Sequence, residues 1–168
     1  EWHLDLELFR EQNEILRYPA YAHWLFSLLG RLTEPVAYLA LSLASIAGLY
    51  FAVRAFGGVH WMVFASFAFA WILFYGQLDG LVAGGLGLAW WASRRDRPVL
   101  TGAGLILACL KPQLAVPACL ALWWWSPSRF KSLVVPGAVL FVSFLTSGFW
   151  IPGWLAELGD IDHLVLLS

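Results

Sequence analysis

The chain has 168 residues, of which 61% are hydrophobic and 12% charged, with a formal net charge of -1 and a mean hydropathy of +0.73. Soluble domains carry about twice that share of charge, and one water-facing core of this size cannot hide so much apolar surface. An ordinary soluble domain is therefore excluded, and without a basic excess so is a nucleic-acid partner. Long apolar stretches between clumped charges predict an all-α, polytopic transmembrane helical bundle. The alternation that marks a membrane β-barrel is missing.

Residues 1–17 are the most polar stretch and read as an extramembrane or interfacial segment. Pro19 suits a first helical turn, having no N–H to leave unsatisfied, and a helix is expected from there to Arg31. At about 20 Å it is short for a crossing of about 30 Å, so residues 18–31 are read as an interfacial helix. Thr33-Glu34-Pro35 starts a second helix, and residues 36–53 form an apolar run long enough to cross. Gly57-Gly58 lies in a short loop, and residues 61–75 predict another span. Gly76-Gln77 breaks it, and residues 78–93 lead to the basic loop Arg94-Arg95-Asp96-Arg97. Pro98 opens the next helix, which Lys111-Pro112 interrupts, because the residue before a proline is pushed out of the α region. Residues 112–125 end in Trp123-Trp124-Trp125, the loop Ser126 to Lys131 follows, and residues 132–147 form the last clear span. Residues 148–163 are an acidic, aromatic outer connector. About six spanning or partly spanning helices thus lie within residues 36–147. The start at Glu1 and the apolar end at Ser168 lead us to expect a fragment of a longer membrane protein.

Basic residues set the expected orientation. Placing the Arg94–Arg97 and Arg129–Lys131 loops in the cytoplasm brings the Arg54 loop to the same side by counting spans back, and six of the ten Lys/Arg residues then lie there. Gln77, Glu34 and the acidic connector then fall outside. Trp90-Trp91 and Trp123–Trp125 mark the inner interface, and Tyr75, Trp150 and Trp154 the outer one.

Candidate chemistry gathers at the outer ends of two short segments. Gln77 and Asp79 begin one, and Lys111 and Gln113 flank the break in the other. An ionisable residue at membrane depth costs at least about 2.5 kcal/mol and faces a cavity or a partner. A lysine beside a helix N-terminus suits an anionic group such as a lipid phosphate. Plainer roles compete: Lys111 can snorkel to the headgroups, Asp79 can pair with it, and Gln77 can cap a helix. Gly80, Gly84, Gly85 and Gly87 predict close helix packing rather than a phosphate loop. Cys109 and Cys119 lie in no metal or redox motif, and His3, His23, His60 and His163 lack metal-ligand spacing, so no metal is expected.

Tyr18-Pro19, Gly76-Gln77-x-Asp79, Arg97-Pro98-x-x-x-Gly102 and Leu110-Lys111-Pro112-Gln113 follow one another in an order and spacing that resembles glycosyltransferase family 87. The likeness covers about residues 17 to 131. Ala20 stands where the family commonly has a second proline, and Asp79 where it commonly has Asn. The resemblance implies a GT-C membrane enzyme that moves a hexosyl or pentosyl group, mannosyltransferase-like, from a polyprenyl-phosphate sugar to a hydroxyl on a glycan or glycolipid acceptor. It implies inversion, no cofactor beyond the lipid-linked donor, membrane lipids as surroundings, and a bacterial plasma membrane with the active site outside. Lys111 would meet the donor phosphate, Gln77, Asp79 and Gln113 would orient donor or sugar, and Tyr18 would line the entrance. The family's catalytic aspartate lies well upstream of Tyr-Pro. Asp5 is the aspartate available there, closer to Tyr18 than the pattern has it, so the catalytic carboxylate is expected to be missing from this sequence. Two other classes fit the same residues: a transporter with its site at interrupted helices, and a scaffold in which Lys111 and Asp79 merely pair.

Overall fold

The computed structural model describes residues 18–63, 65–67, 69–70 and 78–155, and among these it is helical with no strand. Asp5 and Gln77 therefore lie outside the described residues. The helices are α1 (Ala22–Leu29), α2 (Glu34–Ala55), α3 (Asp79–Ser93), α4 (Pro98–Ala108), α5 (Pro112–Trp125), α6 (Arg129–Ser132) and α7 (Val134–Ser147).

Prolines set several of the boundaries. Pro35, Pro98 and Pro112 sit in the first turns of α2, α4 and α5, where a missing N–H costs nothing. Asp96 closes α3 with a left-handed backbone, φ 49°, and the Arg97 amide reaches back to the Ala92 carbonyl at 3.0 Å.

Two helical stretches, Glu34–Ala55 and Arg129–Ser147, are long and apolar enough to cross a membrane. Only 17% and 11% of their apolar windows are buried. Core helices of soluble proteins bury most of such a window, so this surface suits lipid better than water. Of the about six spanning or partly spanning helices expected, these two are long and apolar enough for a full crossing among the described residues. With 15, 11 and 14 residues, α3, α4 and α5 fall short of the roughly 20 a full crossing needs. The reason is local: α4 stops at Ala108, three residues before the Lys111-Pro112 break, rather than running up to it. The predicted span 61–75 falls partly outside the described residues, and His60–Val63 is a 3-10 turn rather than the start of an α-helix. The first helix is also shorter than expected. Residues 18–21 form a turn, and α1 has 8 residues, about 12 Å.

Small residues fix how the helices stack. A Cβ on Gly80 would overlap the Ser45 carbonyl, one on Gly84 would lie 2.8 Å from Gly48 Cα, and one on Gly87 would lie 2.7 Å from Ala52 Cα. The pairs 45–80, 48–84 and 52–87 rise together, so α2 and α3 run parallel. On its other face α3 packs antiparallel to α4, Gly85 facing Gly104 and Ala108, and Gly104 facing Ala89. The glycines read from the sequence as packing residues have that role here.

The result is a bundle with two unlike ends. The C-termini of α2 and α3 meet at one end through the tilted Phe56 and Trp90 rings, 6.0 Å apart. Both basic loops join them, Ser128 donating to Asp96 at 2.6 Å. The opposite end carries the α3 N-terminus, the α4–α5 corner and Trp150 beyond α7.

Candidate functional site

Asp79 is the first residue of α3, and Lys111 is the cap residue of α5. The chain breaks its helix at Lys111 because Pro112 follows, and Lys111 takes φ −121°, ψ 82°. That turn aims the side chain across to α3. Lys111 Nζ donates to Asp79 Oδ1 at 2.7 Å, with the lysine side chain 12% exposed and the aspartate 38%. Both groups gain from the setting. The carboxylate stands at the positive end of α3, and a mostly buried ammonium has a charged partner instead of an unpaired burial cost.

Of the other residues singled out, Gln113 is exposed at the second position of α5, with no hydrogen bond among the described residues. Tyr18 is half-buried and packs edge-on against Phe26, ring centroids 5.1 Å apart. The structure thus joins Lys111 to Asp79, sets Gln113 nearby in the chain, and turns Tyr18 toward α1.

The tyrosine that reaches the corner is Tyr21, which the sequence did not single out. Its hydroxyl donates to the Cys109 carbonyl at 2.5 Å, two residues before Lys111. Burial pushes the phenol pKa up from its ordinary value, so the group stays a donor. The turn between Pro19 and Ala22, whose amide reaches the Pro19 carbonyl at 2.8 Å, carries Tyr21 inward. Trp150 packs beside it, centroids 6.2 Å apart, and is anchored by its Nε1–H to the buried Ser143 hydroxyl at 2.8 Å. The sequence signal was a pair of tyrosines around a proline, and only the turn decides between them.

Next to this corner opens an apolar groove of about 440 Å³. Tyr21, Cys109 and Pro112 line one end, Leu120 the middle, and Trp123 and Leu133 the other end. Lys111 stands in the chain between the lining residues Cys109 and Pro112, and its own side chain turns away from the groove's lining to Asp79 on α3. Among the described residues no group of three His, Cys, Asp or Glu side chains is placed to hold a metal.

No curated protein and no solved structure gives a match. The family model for glycosyltransferase family 87 matches residues 16–167, which takes in the Tyr-Pro turn, the Asp79–Lys111 pair and the groove. The chain belongs to glycosyltransferase family 87.

Proposed function

We propose that this protein transfers a hexosyl or pentosyl group from a polyprenyl-phosphate sugar to a hydroxyl acceptor on the extracytoplasmic side of a membrane, with inversion. Family membership supports a glycosyl transfer. The observation that carries the donor reading is a lysine, 12% exposed and paired with Asp79, whose chain neighbours Cys109 and Pro112 line an apolar groove. A lipid-linked sugar phosphate has that polarity: a long apolar chain, then one anionic phosphate, then a sugar. The groove suits the chain, Lys111 the phosphate, and Asp79 the sugar hydroxyls. Gln77 and Gln113 would add hydrogen bonds to donor or sugar, and Tyr18 would line the entrance.

The charge arithmetic favours a cation there. As the bond from the anomeric carbon to the phosphate oxygen breaks, a phosphodiester with one negative charge becomes a monoester that gains a second. An ammonium beside it stabilises the transition state more than the bound donor, which is what accelerates a reaction. The acceptor oxygen forms the new bond, and its proton passes to a carboxylate base. Asp5 stands closer to Tyr18 than the family's catalytic aspartate does, so the base is not assigned to it.

Lys111→Met in the full-length protein removes the cation. Loss of a charge-assisted contact of about 1.5 to 3 kcal/mol should weaken donor binding or transfer by roughly 10- to 150-fold. Lys111→Arg should keep part of the activity, since the charge persists while the donor geometry changes. The Lys111→Met/Asp79→Asn double variant separates this from simple pairing. It leaves no unpaired charge, so a scaffold role predicts wild-type transfer. Donor titrations with wild-type affinity and turnover in the double variant would remove Lys111 from the site.

A further inference from the structure

The opposite end of the bundle holds a second cavity of contrary chemistry. It encloses about 880 Å³ between the C-terminal ends of α2 and α3, lined by Arg54, Arg94 and Arg95 with Tyr50, Trp90 and Trp91. The Arg94 guanidinium stacks over the Trp90 ring at 5.3 Å from its centroid, and Arg95 over Trp91 at 4.5 Å. These contacts join residues one helical turn apart, so the end of α3 is a ladder of paired Trp and Arg. No carboxylate lies within ion-pair distance of the three arginines among the described residues. Asp96 lines a neighbouring cleft that Arg94, Arg95 and Trp90 also border, and there it accepts from Ser128.

Two plain roles for these arginines fall short in magnitude or geometry. Two helix C-termini amount to about one negative charge together, so three guanidiniums leave an excess of about two positive charges. A purely topological signal needs no cavity and no stacking. A ring under a guanidinium orders it; Arg95 also donates from Nη1 to the Trp91 carbonyl at 3.5 Å, and the N–H groups left over are the kind that grip a phosphate in paired hydrogen bonds. The space is larger than a bare phosphate fills, and its aromatic walls are of the kind that sit at headgroup depth.

We propose that this cleft is a binding site for the phosphodiester headgroup of an anionic membrane lipid, in the leaflet that the basic loops face. The site is separate from the transfer chemistry: about 22 Å of α3 divides Arg94 from Asp79. It requires the helices to lie in a membrane and does not depend on the donor reading, so binding can fail while transfer stands, and the reverse.

The test uses the full-length protein in neutral detergent, titrated with phosphatidylglycerol, phosphatidylcholine or inorganic phosphate and read by native mass spectrometry. One phosphatidylglycerol per chain should be retained at this site, phosphatidylcholine should not compete for it, and inorganic phosphate should not displace it. The variant Arg54→Lys/Arg94→Lys/Arg95→Lys keeps every charge, and with it the orientation signal, but loses the planar fork and the stacking. Its affinity for phosphatidylglycerol should fall roughly tenfold or more, with sugar transfer unchanged in a neutral lipid background. Equal retention by wild type and the lysine variant would overturn the proposal. So would equal retention of phosphatidylcholine, or displacement by free phosphate.

Discussion

The two ends of the bundle solve the same problem, a cation near lipid, in opposite ways. At one end Lys111 is mostly buried, and Asp79 neutralises it at 2.7 Å. At the other, arginines stay exposed and lie on tryptophan faces with no carboxylate within ion-pair distance among the described residues. The difference follows from depth. A desolvated charge needs a counter-charge, whereas a charge at the interface needs only an apolar rest for its stem and water or headgroups for its tip. The paired end suits a ligand that exchanges contacts with both members, and the stacked end suits one that arrives as the missing anion.

The starkest way to break that contrast is to show that both ends face one side. Single cysteines at Ser128 and at Gly153 or Glu34, in a Cys109→Ala/Cys119→Ala background, should give all-or-none labelling by an impermeant thiol reagent in intact cells. Ser128→Cys should stay unlabelled, while Gly153→Cys and Glu34→Cys should react. Labelling with reversed sidedness would place the Lys111–Asp79 pair in the cytoplasmic half and sink the extracytoplasmic reading.

Next in size is the seam that holds the ends in register. Gly80→Val would drive a side chain into the Ser45 backbone and should cost about 3 kcal/mol. Gly137→Ala should be silent, because nothing lies within 4 Å of that position. Thermal unfolding of both variants checks the pair. A Gly80→Val protein as stable as wild type would mean that α2 and α3 do not meet as described. The smallest effect is expected for Tyr21→Phe. Losing one hydrogen bond to the Cys109 carbonyl should lower stability by about 1 kcal/mol, read as a lower melting temperature with the arginine end unaffected.

How far the sequence reached depended on the kind of signal. Pro98 and Pro112 act on their own backbone, so the helix starts they mark were legible. Glycines 80, 84, 85 and 87 act by lacking a side chain, and their spacing announced a close approach without naming the neighbour. The Lys111–Asp79 pair was legible as one of two alternatives, since two opposite charges at helix ends either meet or serve a ligand. Tyr21 was not legible, because a tyrosine one residue to either side of a turn reads alike until the turn is built. The Trp–Arg ladder was open to reading: Trp90 with Arg94 and Trp91 with Arg95 stand four residues apart on one helix. Taken singly, the same residues serve as interface and loop markers, which hides the pairing. The shortness of α4 was harder, because its three-residue loss at Cys109 to Lys111 comes from the corner that Tyr21 ties down.

The parallel course of α2 and α3 bears on how the chain is made. A hairpin such as α3–α4 closes through contacts about twenty residues apart and can form as soon as its second arm emerges. The α2–α3 seam joins residues 45 and 80, and it cannot form until α3 itself has been made. During synthesis α2 must therefore wait with its small-residue stripe uncovered. Its outward face, rich in Leu39, Leu43 and other exposed apolar side chains, lets lipid hold it in place during that interval. The order of assembly is thus set by loop closure: α3 and α4 first as a local unit, with α2 then docking along the face of α3 where glycines, having no side chain, leave room for its backbone.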